Sequence, residues 1–397
     1  MTTLSKISTS TLLSSRVRTE APASTAAAPR AQSLAASAKV ADGFDAAPVR
    51  SHFVDRPTGR RPSGTEAAPA STFAKTASLT SVADSKPVPL SGPPVVAVFD
   101  GGVDWNHPDL QESMWTNPGE IAGDGLDNDG NGIQDDIHGF NVGFGSGDPF
   151  KGEGTDHGTH VAGIIAAADN GLGNTGVAAG KAQVLSVGGL YDGADLLTNF
   201  ECSVDYVVDL KSKGANIRAV NASFGDEYKD AASQARWKAA IQKLADADIL
   251  LVAATANGNG SNMNNVKDFP ANLDLPNVLT VASMDKRNDK LARFSSHGDK
   301  VVEMAAVGED VLSTVPGGEW EEMSGTSMAT PRVAATAALM FAENPKLTAA
   351  EVRDMLVATT EKDPDLKGKV SSGGKLDLDA AVAAARASVE QRVARAA

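Results

Sequence analysis

The sequence predicts an α/β fold: a doubly wound parallel sheet with helices on both faces, preceded by a low-complexity tail. Three observations carry this. Short apolar runs recur after residue 94, each about the length of one buried strand. Helical patterns lie between several of them, and strands alternating with helices indicate a parallel sheet covered on both sides. The first stretch of chain differs in composition and sustains neither periodicity.

Residues 1–92 form that stretch. It is rich in Ala, Ser, Thr and Pro, and its aromatics are Phe44, Phe53 and Phe73. It reads as a disordered tail, or as a propeptide covering the body of opposite charge. Pro87–Pro94, "PVPLSGPP", reads as its closing linker. The first strand is "VVAVFD", ending at Asp100, and a helix opens near His157. Further strands are expected at Gln183–Val187, Arg218–Ser223, Asp248–Thr255 and Val278–Ser283. Helices are expected at about Leu196–Lys213 and Ala231–Ala247. Thr348 with Glu351 forms a capping box before an apolar stripe. A Gly-marked turn and a last amphipathic helix follow. The domains are therefore a tail over 1–92, a catalytic body over 93–385, and the end of the last helix over 386–397.

The formal net charge is -14. Residues 1–94 hold 11 basic and 6 acidic residues, and the remainder 25 and 44. An acidic body argues against nucleic acid and anionic membranes as partners. No run of 18 apolar residues is present, so no transmembrane helix is expected. Neither is a secretory signal, because the segment after Lys6 lacks an apolar core. The lone cysteine, Cys202, permits no internal disulfide and reads as a small buried hydrophobe.

Three stretches carry chemistry. In "AVFDGGVDWNHPDL", Asp100 ends a buried strand, at the sheet edge where α/β proteins place functional groups. In "GTDHGTHVAGIIAAA", His157 opens an apolar helix, whose dipole disfavours the imidazolium and suits a general base. A metal pair of His157 with His160 is disfavoured, since the spacing is wrong and the glutamate of a zinc-protease helix is missing. His160 reads as a packed helix residue. In "MSGTSMATPRVAATAALM", Ser327 stands at a helix N-terminus, where unpaired N–H groups can hold an anion, and Pro331 is placed in the first turn. A serine becomes nucleophilic only beside a base. His157 can be that base, Asp100 can orient it, and Asn257 in "LVAATANGNG" can supply a second oxyanion donor. Turnover should fall as His157 is protonated, near or below about pH 6.5–7.

With these motifs the sequence resembles the subtilisin-like serine proteases (subtilases). The order Asp100, His157, Ser327 matches theirs, and "DHGTHVAGIIA" and "SGTSMATPRVAA" are specific to them. The resemblance spans about Val95–Ala381 and implies a three-layer α/β/α peptidase domain. It implies a serine endopeptidase acting through an acyl-enzyme, on a protein or peptide substrate, as a monomer without organic cofactor. Ser223, Phe224 and Gly225 would line one wall of the S1 pocket, and Ala253, Ala254 and Thr255 the other. "ARFSSHG" also resembles a family segment. Gly101, Ala256 and Asp226 depart from the family pattern and bear on specificity. A latent enzyme held by its tail, or a non-catalytic peptide-binding scaffold, are the alternatives. Family habit points to secretion, the missing signal to the cytoplasm, and the compartment stays open.

The resemblance also implies a structural Ca2+ site. Asp109 and the side chain of Asn170 would bind it, with carbonyls of Ala168, Leu172 and Asn174. A second site is suggested by "DGLDNDGNGIQDD", with Asp127, Asp129, Asn131 and Asp135 at alternating positions. His138 stands where the last glutamate of an EF-hand loop would be.

Overall fold

A computed structural model gives the structure of residues 90–287 and 289–396, with side chains described to residue 390. Of the expected tail or propeptide over 1–92, residues 1–89 lie outside the described residues, as does its inhibitory role. The strands are β1 (Ser91–Phe99), β2 (Gly139–Asn141), β3 (Gln183–Gly188), β4 (Ala215–Ala222), β5 (Asp226–Glu227), β6 (Leu250–Ala254) and β7 (Asp268–Phe269). They continue with β8 (Val278–Asp285), β9 (Lys290–Leu291), β10 (Met304–Val307), β11 (Val311–Val315), β12 (Glu319–Met323), β13 (Glu361–Lys362) and β14 (Gly374–Lys375). The α-helices are α1 (Thr155–Ala166), α2 (Leu196–Ser212), α3 (Ala231–Asp246), α4 (Thr326–Glu343), α5 (Ala349–Ala358) and α6 (Leu378–Ala396).

Among the described residues the main sheet runs β13-β14-β10-β8-β6-β4-β1-β3-β2, with β9 on β8. All neighbours are parallel except β13–β14 and β8–β9. From β1 the chain goes out to the edge at β2, back in to β3, and then across β1 to β4, β6, β8 and β10, which is double winding. β1 shows why the sheet is buried on both faces. Val96 and Val98 belong to one core cluster with residues of α1, α4, α5 and α6, whereas Val95, Ala97 and Phe99 belong to another with residues of α2 and α3. The period of two thus divides one apolar run between two cores.

The expected strands and helices are present with end shifts of a few residues. β1 begins at Ser91, so the last four residues of the expected linker belong to the sheet, and the boundary at 92/93 falls within a strand. The boundary at 385/386 falls within α6. Thr348 and Glu351 form the capping box, with the Thr348 amide donating to Glu351 Oε2 at 2.8 Å. The antiparallel hairpin β11–β12 was not expected from sequence. Its turn uses Gly317 and Gly318, both at positive φ, where side chains are strained. No described helix is long and apolar enough to cross a membrane.

Candidate active site

Asp100 leaves the end of β1 fully buried, and its amide donates to the Val187 carbonyl at 3.1 Å. The loop after it is tight. A β-carbon at Gly101 would lie 2.1 Å from the Glu153 carbonyl oxygen, and one at Gly158 would lie 2.2 Å from the Gly102 oxygen. Both glycines let this loop rest against the start of α1. The departure at Gly101 is thereby explained by packing rather than by specificity.

α1 begins after Gly154, which takes the left-handed conformation at the cap, so His157 falls in the first turn. His157 Nδ1 donates to Asp100, with Oδ1 and Oδ2 each at 2.9 Å. Burial alone would push this imidazole toward neutrality, but Asp100 outweighs it by charge and hydrogen bonding, and Asp156 adds to the effect. The net direction is upward. The Asp100 carboxylate thus outweighs the helix end, which by itself would hold the imidazole neutral. His160 is fully buried and its Nε2 faces the Val311 and Glu321 carbonyls, each at 3.0 Å. Burial lowers it to about 4; it is the packed helix residue expected, and what it packs against is the hairpin.

Ser327 is the second residue of α4, after the Gly325 cap. Its hydroxyl donates to the Ser223 carbonyl at 3.0 Å, and the Ser223 hydroxyl donates to the Ser327 carbonyl at 2.8 Å. Pro331 is the sixth residue of the helix, not in the first turn as expected. A proline there has no N–H for the carbonyl four residues earlier, which is that of Ser327. Ser223 supplies the missing donor.

Asn257 reaches the same helix end. Its Oδ1 accepts the Thr326 N–H at 3.0 Å, which turns its amide nitrogen the other way. A methyl group at Gly325 would lie 3.6 Å from both Asn257 Nδ2 and the Ser327 amide nitrogen, so the two donors border one small space. The "ARFSSHG" segment braces this loop. The Ser296 amide donates to the Ala256 carbonyl at 3.0 Å, and the Gly258 amide to Phe294 at 2.8 Å.

β4 and β6 are adjacent, with Ala222 opposite Ala253, so Ser223–Gly225 and Ala254–Thr255 leave the sheet side by side. Ser223, Phe224, Ala254 and Thr255 are all buried at this edge. Ala253 itself is fully buried in a cluster with Met263, Ala271 and Ala282, behind the cleft, and lines no wall.

The donor set around Asp109 does not fit a calcium ion, which needs six to eight oxygen ligands. Asp109 Oδ1 accepts the Asn170 amide at 2.7 Å, and Oδ2 accepts the Trp320 indole N–H at 2.9 Å. Asn170 Oδ1 takes the Leu172 N–H at 2.9 Å, and the Asn174 amide points to Gly163 O at 3.2 Å. The Ala168 amide donates to the Asp109 carbonyl at 2.9 Å. Trp320 also lies where a β-carbon on Gly173 would be 1.9 Å from its Nε1. Protein donors thus already satisfy both Asp109 carboxylate oxygens.

The acidic insert gathers more carboxylates, though these too accept protein N–H groups: Asp127 those of Gly130, Asn131 and Gly132, and Glu120 those of Asn128, Asp129 and Asp135. Carboxylate oxygens of Glu120, Asp127 and Asp129 lie within 4.8 Å of one another, a hard-oxygen set that suits calcium. Glu120 was missed from sequence because it lies outside the alternating run. Two of the expected ligands adjoin this cluster but turn their side-chain oxygens to other groups. Asp135 accepts the Gly123 and Gly125 amides at 2.7 and 3.0 Å, and Asn131 Oδ1 accepts the Ile133 amide at 2.8 Å. His138 stacks on Trp105, with ring centroids 4.6 Å apart.

Comparison with known proteins agrees with this layout. The sequence profile of the subtilase family matches residues 92–379. Subtilisin-like protease 1 of Plasmodium falciparum (isolate 3D7) is 32% identical over 313 residues, covering 72% of this chain and 43% of that protein. Subtilisin of Bacillus pumilus is 31% identical over 270 residues, covering 66% of this chain and 82% of its own. Among solved structures, the prenylagaramide maturation protease PagA has a TM-score of 0.55 and 27% identity, covering 73% of this chain and 93% of that one. The chain spans less than half the length of the Plasmodium relatives it matches. With the family profile matched over residues 92–379, well over half of its length, this chain belongs to the subtilase family.

Proposed function

We propose that the chain is a serine endopeptidase that hydrolyses peptide bonds in protein or peptide substrates. Ser327 Oγ attacks the scissile carbonyl, and His157 Nε2 takes its proton. Asp100 fixes the Nδ1–H tautomer and stabilises the imidazolium. The Ser327 N–H and the Asn257 amide hold the oxyanion. His157 then protonates the leaving amine, and water releases the acyl group by the same steps. The Ser327 hydroxyl donates to the Ser223 carbonyl, so it must rotate toward His157 as substrate enters. The observation that carries this reading is the His157 Nδ1–Asp100 pairing at 2.9 Å, on a helix packed against the one that bears Ser327.

The substrate lies as an extended strand between Ser223–Gly225 and Ala254–Thr255, bonded through main-chain groups. Structural calcium is assigned to Glu120, Asp127 and Asp129, where it would offset mutual repulsion; no step of the cleavage uses it. Labelling with a fluorophosphonate probe tests the reading. Covalent modification of the wild type, lost in Ser327→Ala and His157→Ala, is expected. A folded wild type that neither labels nor cleaves casein would reject it.

A further inference from the structure

Beside the Ser223–Gly225 wall lies a carboxylate that the cleavage chemistry does not use. Asp268 begins β7, which pairs antiparallel with β5, placing Glu227 opposite Asp268 and Asp226 opposite Phe269. Three acids therefore gather on the two short strands next to Gly225. Asp268 is the inner one, only 6% exposed. Its carboxylate rests against the Gly225 α-carbon: a β-carbon there would lie 2.2 Å from Oδ2 and 2.7 Å from Oδ1. Any side chain at Gly225 would displace it.

No lysine or arginine pairs with Asp268 among the described residues. Lys229 pairs with Asp226 at 3.0 Å, and Lys267 sits over the Tyr228 ring, 4.9 Å from its centroid. A buried carboxylate without a cation is costly, and a ligand that brings one gains accordingly. Burial, with Asp226 and Glu227 adding repulsion, pushes this acid up to about 7, as expected for a charge that lacks a counter-ion. The position suits a substrate side chain. Gly225 follows two residues after Ser223, whose carbonyl receives the Ser327 hydroxyl. Two extended residues span at most about 7 Å, close to the reach of a lysine or arginine side chain from a scissile residue.

We propose that Asp268 is the specificity-determining residue of the cleft, and that it selects peptides with lysine or arginine on the acyl side of the scissile bond. This rests on the endopeptidase reading above and names its substrate class. The substrate cation would complete the ion pair that the fold leaves open, and a neutral side chain would leave the carboxylate desolvated and unpaired.

Matched peptide amides differing only at the acyl-side residue (lysine, arginine, norleucine, glutamine) test this. The wild type should prefer lysine or arginine over norleucine and glutamine by roughly 30-fold or more in kcat/KM. That ratio should collapse toward unity in Asp268→Asn and fall less in Asp226→Asn, with thermal melts confirming that both variants fold. The ratio is the readout, so a general loss of rate does not count as support. Binding of the same peptides to Ser327→Ala, followed by fluorescence anisotropy, reads the preference without turnover. If the wild type labels with fluorophosphonate yet cleaves norleucine as well as lysine, the endopeptidase reading stands and this inference fails. An unchanged ratio in Asp268→Asn also overturns it, as does equal binding of basic and neutral peptides.

Discussion

Ser223 and Ser327 hold each other through two reciprocal hydrogen bonds, each hydroxyl donating to the other residue's carbonyl, at 2.8 and 3.0 Å. The pair exists because Pro331 cannot serve the Ser327 carbonyl. Asn221 Nδ2 donates to Ser223 Oγ at 2.9 Å and fixes that hydroxyl in turn. Ser223→Ala should leave a buried carbonyl without a donor and cost about 1–3 kcal/mol of stability. It should lower kcat more than it raises KM, because the helix start that presents Ser327 is loosened. Denaturant unfolding and steady-state kinetics on a peptide amide check both parts.

The upward direction at His157 sets a pH dependence. Activity needs the neutral imidazole, so kcat/KM should fall as pH drops through a midpoint above the ordinary histidine value of about 6.5. Asp100→Asn removes the cause of the shift. Its midpoint should move down while activity falls by roughly 10⁴-fold. A pH–rate profile of both proteins decides this. An identical midpoint in the two would contradict the assigned cause.

The raised value at Asp268 has its own signature in stability. The unfolded chain releases this proton near pH 4, whereas the folded chain keeps it to about 7. Between those values the native state holds the extra proton, so wild-type stability from this group declines as pH rises. Asp226 and Glu227, the charged neighbours on the paired strand, strengthen the effect. Thermal melts of wild type and Asp268→Asn should differ little at pH 4, with the variant gaining steadily up to about pH 8.

Calcium and tryptophan should act at separate places. Trp320→Phe removes one of the two N–H donors on the buried Asp109 carboxylate, a loss of about 1–3 kcal/mol. That loss should be the same with calcium or with a chelator. Added calcium should raise the melting temperature of the wild type but not of Asp127→Asn. Calorimetry of the three proteins in both conditions is the measurement.

The sheet was legible because its strands are buried on both faces, so β1 and β6 read as apolar runs, and β4 and β8 as largely apolar ones broken by single polar residues such as Arg218 and Thr280. Asp100, His157, Ser327 and Asn257 were legible because each sits at a strand end or helix start, in a specific motif. What was hidden depends on contacts distant in sequence. Trp320 lies 211 positions from Asp109. Its hairpin had one cue, the Gly317–Gly318 pair before a polar strand. Asp268 precedes Phe269–Pro270 without any local sign that β5 will bury it. The sign of the His157 shift depends on a carboxylate 57 positions upstream, which helix position alone does not weigh.

The β11–β12 hairpin is sewn to α1 at several points. The Ser313 and Thr314 hydroxyls donate to the His160 and Thr159 carbonyls at 2.7 and 2.8 Å, and the His160 ring spans both strands. The same hairpin carries Trp320 and leads directly into Ser324, Gly325 and Ser327. It therefore works as a clasp between the segment bearing the base and the segment bearing the nucleophile. A nick at its glycine tip would leave every reacting group in the protein while releasing a ribbon that ties the two segments together beside their direct helix packing.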